Sequence, residues 1–280
     1  MRTPDGPEFL KGHGTQNDFV ILPDPDGALA LTGERVRALC DRRRGLGADG
    51  VLRVVRTGAL PDAPADVPAD VWFMDYRNAD GSIAEMCGNG VRVFARYLAD
   101  AGLAEAGELL VGTRAGVRPV RIREDGQVAV DMGAAKVFGE STTSASGRTF
   151  TGIAVDVGNP HLACVDDVEL AELDLTTRPP HDPELFPHGV NVEFVRPREG
   201  DHVQMRVYER GVGETRSCGT GTVAAAVAAL RAAGADTGRR VVHVPGGTVE
   251  VEVTPSTTTL TGPAVLVARG RLDAGWWEHP

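Results

Sequence analysis

The sequence predicts an α+β fold of two pseudo-symmetric domains, each a curved, mostly antiparallel sheet wrapped around a central apolar helix. Three observations point there. Met86-Cys87-Gly88-Asn89-Gly90-Val91-Arg92 and Ser217-Cys218-Gly219-Thr220-Gly221-Thr222-Val223 open alike, each a cysteine followed by Gly-x-Gly and a long apolar run. The parts flanking each copy come in the same order, so the repeat extends well beyond the cysteines. Thr222 to Leu230 is apolar all round, with no charge until Arg231. Such a helix has to be buried on every side, and a sheet that curves around it, approached closely at its alanines, meets that demand.

The elements follow in order. Met1 to Pro7 lacks the apolar core of a secretory signal and reads as a short flexible lead. The first half then runs through Gly14-Thr15-Gln16-Asn17-Asp18-Phe19, a helix-like stretch from Glu34 to Asp41, Gly47-Ala48-Asp49-Gly50-Val51, a strand-like Val71-Trp72-Phe73-Met74, and the Cys87 helix, which keeps Arg92 and Arg96 on one stripe. The second half runs through Gly158-Asn159-Pro160-His161, Gly189-Val190-Asn191-Val192-Glu193-Phe194, an alternating Val203 to Val207, and the Cys218 helix. A hairpin of period-two alternation follows each helix, turning at Asp125-Gly126 and at Pro245-Gly246-Gly247. Gly139 to Gly147 is small, polar and turn-prone, and reads as a connection or surface loop. Gly58 to Asp70 reads as an exposed insertion. The domains are placed at 1–133, completed by a C-terminal strand within 264–280, and at 134–263; Gly275-Trp276-Trp277 is expected to lie as a lid on the core.

Composition narrows the function. The chain has 280 residues, enough for two domains, and 42% hydrophobic with 24% charged residues is the balance of a soluble globular protein. No apolar run reaches membrane-span length, and a cytoplasmic location is the expectation. A formal charge of −10 argues against a general nucleic-acid or anionic-membrane role, which needs a basic face. Small charged metabolites stay open as partners. The four cysteines, Cys40, Cys87, Cys164 and Cys218, are far apart with no Cys-x-x-Cys pair, so no metal is expected. Cys40 and Cys164, the latter in the alternating run His161 to Val165, read as buried structural thiols.

The other two cysteines carry the chemistry. Each precedes a helix, where unpaired N–H groups and the positive end of the dipole favour a thiolate. Two such sulfurs fit one carbon acid worked from both sides, one thiolate removing a proton while the opposite thiol donates another. A thiol of ordinary pKa, about 8.5, is a weak base against an amino-acid α-C–H, so the carbanion has to be stabilised. Backbone N–H groups of Gly88, Asn89, Gly219 and Thr220 can do this as the carboxylate becomes enediolate-like. No pyridoxal or other cofactor is then required.

Arg77-Asn78-Ala79-Asp80-Gly81-Ser82, Glu85 to Gly90, Gly158 to His161, Asn191-Val192-Glu193, Tyr208-Glu209-Arg210-Gly211 and Ser217 to Gly221 together closely resemble the diaminopimelate epimerase family, over nearly the whole chain from Lys11 to about Gly270. The resemblance implies cofactor-independent interconversion of LL- and meso-2,6-diaminopimelate, on the route to lysine and peptidoglycan, with the active site in the interdomain cleft of a homodimer's protomer. It assigns Cys87 and Cys218 as the acid/base pair, the first for the LL centre and the second for the D centre, and His161 and Glu209 as neighbours that help move thiol protons. Substrate contacts carried over are Asn17, Asn78, Asn159, Asn191, Glu209 and Arg210, with Gly88, Asn89, Gly219 and Thr220 as backbone donors. Glu209 suits the distal ammonium and Arg210 the distal carboxylate, and asparagine amides can bind either group. Some relatives carry glutamine where Gly50 falls, so no side-chain contact is assigned there.

Two rivals are weighed. A proline or hydroxyproline racemase of the same fold would use the same cysteines, but its cyclic substrate offers nothing for Glu209 and Arg210. A thiol-disulfide switch, with Cys87 and Cys218 oxidised together, would need no asparagine, glutamate and arginine shell. A Cys87–Cys218 disulfide is expected only as an inactive form.

Overall fold

The computed structural model describes residues 5–280. The chain divides into two compact units, one running up to Val130 and including Pro263–Pro280, the other Asp131–Gly262. In the first, β1 (Asp5–Gly14) and β2 (Asn17–Pro23) pair antiparallel, with Gly14 opposite Asn17. The turn between them has both residues left-handed, Thr15 at φ 51° and Gln16 at 64°, the twist a two-residue hairpin requires and glycine usually supplies. Thr15 is tied down there by its hydroxyl, which accepts from Arg92 Nη2 at 3.1 Å.

α1 (Gly33–Cys40) is capped by the Thr32 hydroxyl and buries Val36, Leu39 and Cys40. β3 (Gly50–Arg56) lies parallel to β2 and antiparallel to β4 (Trp72–Asn78). After α2 (Gly88–Asp100) come β5 (Gly107–Thr113), parallel to β4, and β6 (Gly116–Ile122) and β7 (Val128–Gly133), each antiparallel to its predecessor.

The second unit repeats the plan. β8 (Lys136–Ala145) and β9 (Arg148–Asp156) form a hairpin, and β10 (Pro160–Val165) is antiparallel to β9 and parallel to β11 (Asn191–Pro197). β12 (His202–Glu209) is antiparallel to β11, with the short β13 (Gly213–Thr215) on its edge. α3 (Gly219–Ala232) leads to β14 (Gly238–Val244), parallel to β12, and then β15 (Gly247–Val253) and β16 (Thr258–Gly262) return antiparallel. β17 (Val265–Asp273) goes back to the first unit, antiparallel to β1, and ends in α4 (Ala274–Glu278).

Parallel, antiparallel, helix, parallel, antiparallel, antiparallel is thus the order in both units, an α+β architecture of mostly antiparallel strands around one long helix each. α3 has its Val223 to Leu230 stretch buried throughout and is packed by strands from β9 to β16. A fully buried valine or leucine stabilises by about 1.5–3 kcal/mol, which makes this helix the centre of its unit's core. α2 is similar, but its buried set includes Arg92.

Several segments differ from the sequence reading. Gly139 to Gly147 is not a loop: most of it lies in β8, where Ser and Thr alternate between faces and only Ser146-Gly147 makes the turn. β-Branched threonine suits a half-exposed strand, and the turn-prone composition concealed it. Met1 to Pro4 of the expected lead lie outside the described residues, whereas Asp5, Gly6 and Pro7 belong to β1. β10 is buried from His161 to Cys164 on both faces, so its pattern is not an alternating one. The stretch from Gly58 to Asp70 is largely exposed, but Leu60 and Val67 plug into a small cluster with Val55 and Phe73. Trp277 joins the Val20, Val36 and Leu39 cluster, and Arg35 stacks on its ring 4.6 Å from the centroid.

Candidate functional site

Each unit builds one cluster around the cysteine that caps its long helix. In the first, Cys87 is the N-cap of α2 in extended conformation, and its sulfur accepts from the Gly90 N–H at 3.4 Å. Gly88 and Asn89 occupy the first turn, ahead of the first intrahelical bond from Val91 N–H to the Cys87 carbonyl. Asn17, at the start of β2, comes to the same place: its Oδ1 accepts from Cys87 Sγ at 3.6 Å and from Asn89 Nδ2 at 3.3 Å.

Asp49 decides which way the Asn17 amide points. Asp49 Oδ2 accepts from Asn17 Nδ2 at 2.8 Å, leaving the carbonyl oxygen for the sulfur. Asp49 is held by Arg42 at 2.8 Å, and Arg42 and Lys11 both pair with Asp18. Burial pushes the Asp18 carboxyl up, but hydrogen bonds from Arg42 and Lys11 outweigh it and hold the group at about 2. Arg92, one turn into α2, is fully buried, with Nη2 on Thr15 and Nε on the Pro263 carbonyl. Burial draws its pKa down to about 10, opposed by the charge of a Cys87 thiolate. Asn78 lies at the end of β4, its amide nitrogen donating to Ser82 Oγ at 3.0 Å within its own turn.

In the second unit Cys218 caps α3 in the same way, accepting from the Gly221 N–H at 3.4 Å and lying 3.6 Å from Thr220 Oγ1. Gly219 and Thr220 stand in its first turn, ahead of the bond from Thr222 N–H to the Cys218 carbonyl. Glu209, at the end of β12, accepts a hydrogen bond from Thr215 Oγ1 and lies near the Cys218 thiol. Burial raises the Glu209 carboxyl, and the neighbouring Thr215 and Cys218 oppose the rise.

His161 is fully buried on β10, with Nδ1 at 2.7 Å from Glu193 Oε1 and Nε2 at 3.0 Å from Asn159 Oδ1. Burial raises Glu193 in turn, and His161 opposes the rise. Asn191 is a clamp on backbone: Oδ1 accepts from the Arg210 N–H at 2.8 Å and Nδ2 donates to the Pro160 carbonyl at 3.3 Å. Arg210 itself is exposed, its Nη1 donating to the His188 carbonyl at 3.1 Å.

Cys218 departs from the thiolate that its helix position suggested. Burial, then the Glu209 and Glu193 charges, push its thiol well above the usual range, and the Thr220 and Gly221 hydrogen bonds only soften this. Two carboxylates and desolvation outweigh one helix terminus. Burial likewise lifts Cys40 and Cys164 to about 12, as suits inert core thiols. All four cysteines are free thiols. Among the described residues no group of three or more His, Cys, Asp or Glu side chains could hold a metal ion.

The sequence reading assigned no role to Asp49, Arg92, Glu193 or Thr215. Asp49 and Glu193 stood inside motifs already singled out, one residue before Gly50 and two after Asn191. An acidic residue within an apolar strand pattern, as Val192-Glu193-Phe194-Val195 presents, was the available signal for the second.

Solved structures with this fold include a phenazine biosynthesis protein of the PhzF family from Bacillus anthracis, at a TM-score of 0.67 and 18% identity over 97% of this chain and 99% of that one. A hydroxyproline epimerase from Agrobacterium vitis matches at 0.66 and 17%, covering 97% and 92%. These likenesses are of fold alone. Sequence relatives are far nearer. The diaminopimelate epimerase of Rhodococcus jostii (strain RHA1) is 59% identical over 97% of this chain and 99% of its own length, and that of Mycolicibacterium smegmatis is 59% identical over 96% and 98%. The profile of the family described as diaminopimelate epimerase matches residues 9–138 and 153–267, and on that match and those identities the chain belongs to the diaminopimelate epimerase family.

Proposed function

We propose that this protein interconverts LL- and meso-2,6-diaminopimelate without a cofactor, Cys87 and Cys218 exchanging protons with one α-carbon. The observation that carries the reading is the duplicated cap: a cysteine sulfur bonded to the third N–H of a buried helix, once in each unit. A thiolate takes the α-proton, the other thiol gives one up, and the electron pair left on carbon spreads onto the carboxylate. First-turn N–H groups of Gly88, Asn89, Gly219 and Thr220 are the donors proposed for that charge, and loss of one preorganised donor typically costs about 10²–10³ in rate.

Asn17, Asn78, Asn159, Asn191, Glu209 and Arg210 are proposed as substrate contacts. Asn17 already accepts from Cys87, which supports its place beside the reacting carbon. Glu209 lies near Cys218, so its proposed role extends to the thiol proton as well as a substrate ammonium. Asn191 also fixes the Arg210 backbone. We extend the proposal to a homodimer working in the cytoplasm, as the family resemblance suggests; sedimentation of the purified protein tests the assembly. Among the described residues no helix is long and apolar enough to cross a membrane.

The deciding experiment offers reduced, purified protein LL-diaminopimelate and follows the stereoisomer ratio. Approach to a fixed LL to meso ratio from either isomer is expected. A ratio that never moves, in protein with two titratable site thiols, refutes the reading.

A further inference from the structure

Glu193, the third residue of β11, is fully buried, as is the His161 it meets at 2.7 Å. Its second oxygen, Oε2, has no hydrogen-bond partner among the described residues. In the first unit the same place, third in β3, holds the fully buried Leu52. Both strands have a parallel neighbour before them and an antiparallel one after, and both pack against the long helix of their unit. The architecture therefore accepts an aliphatic side chain here. A buried ion pair seldom stabilises a fold more than well-packed apolar residues do, so the charge calls for a reason other than packing.

Gly221 locates that reason. A Cβ added to it would lie 2.7 Å from Glu193 Oε1 and 3.3 Å from Cys218 Sγ, whereas a Cβ on Gly90 would meet the Leu52 methyl at 3.3 Å as its nearest neighbour. The third strand residue thus packs under the first helical turn in each unit, and in the second it brings a carboxylate against bare backbone beside the sulfur. The groups gathered around Cys218 are Glu193 from β11 with its partner His161 from β10, Glu209 from β12 with Thr215 from β13, and Thr220 and the Gly221 N–H from α3.

We propose that Glu193 is a positioning residue for proton transfer at Cys218: it fixes the His161 ring through Nδ1 and keeps a negative charge under the start of α3, so that Cys218 begins the cycle holding its proton. The inference rests on reading Cys218 as one of the acid/base pair. In that cycle Cys87 takes the α-proton and Cys218 gives its own to the same carbon, ending as the thiolate. Burial and the carboxylates act in the same sense on the free protein's thiol.

The test compares wild type with Glu193→Gln, which keeps the shape and removes the charge. Both reduced proteins are alkylated with iodoacetamide across a pH series, and Cys87 and Cys218 are read separately by mass spectrometry of their peptides. At the alkaline pH where a buried thiol titrates, the variant lacks the carboxylate and its charge. The Cys218 midpoint is expected to fall by about one pH unit, a tenfold change in thiolate fraction, with that of Cys87 unmoved. The alkaline limb of kcat/KM should move down with it, while KM at the optimum stays within about twofold. An unmoved Cys218 midpoint overturns the proposal, as do equal shifts at both cysteines. A variant that fails to fold also overturns it, since the argument from Leu52 requires that the fold tolerate an uncharged residue here. Epimerisation that survives Cys218→Ala would instead remove the function on which the inference rests, whatever Glu193 does.

Discussion

The two site cysteines share a cap geometry and differ in what surrounds them. Cys87 has a buried guanidinium, Arg92, one turn along its helix and an amide oxygen on its sulfur, while Cys218 has two carboxylates. On the proposed function, these opposed environments suit one thiol to the base's role and the other to the acid's at a single pH. Replacing either Cys87 or Cys218 by alanine should cost about 10²–10⁴-fold or more in epimerisation, whereas Cys40→Ala, in the α1 core, should leave activity substantially intact; equal loss in all three would point to folding. The Asp18 cluster gives a pH prediction of definite sign. Its folded pKa, about 2, is below the ordinary aspartate value, near 3.9. Its contribution to stability is therefore complete above about pH 4 and fades as pH falls toward 2. Thermal melts of wild type and Asp18→Asn should differ at neutral pH and converge at the acid end of that window. A constant difference would show that the carboxylate charge is not what matters.

At the scale of the element, the first turns of α2 and α3 are alike in backbone and unlike in what they rest on. A Cβ at Gly221 would press on a carboxylate held by His161, and one at Gly90 only touch the Leu52 methyl at 3.3 Å. Gly221→Ala should destabilise by about 1–3 kcal/mol through overpacking, and should lower kcat because Glu193 or Cys218 must shift. Gly90→Ala should be close to neutral in stability, since alanine's helix preference of about 1 kcal/mol offsets the mild crowding. Urea unfolding and kcat on the two variants check this, and an equal penalty for both would refute the distinction.

At the scale of the whole molecule, the proposed function has a duplicated unit supply two different thiols for one reaction. Two bases imply that the proton removed and the proton delivered are not the same. In deuterium oxide the product α-carbon should therefore gain label before the recovered substrate does. Early labelling of both at equal rates would favour one base acting on both isomers. The bell-shaped profile expected for kcat/KM belongs to the thiol pair rather than to either sulfur.

The sequence by itself determined the duplication, both helices, both capping cysteines, the hairpins after Asp125-Gly126 and Pro245-Gly246, and the family, because these are written in local pattern: glycine at caps and turns, period-two strands, an all-apolar helix. It misjudged Gly139 to Gly147, where a solvent-facing strand and a loop share a composition. Only the tertiary structure decided that Arg92 is buried, that Asn191 clamps backbone, that Asp49 orients Asn17, and that burial and two carboxylates oppose ionisation of Cys218. The physical reason is that these are outcomes of desolvation and of charges brought together from separate strands: His161, Glu193, Glu209 and Cys218 are dispersed along the chain, and their fields add only once β10, β11, β12 and α3 pack.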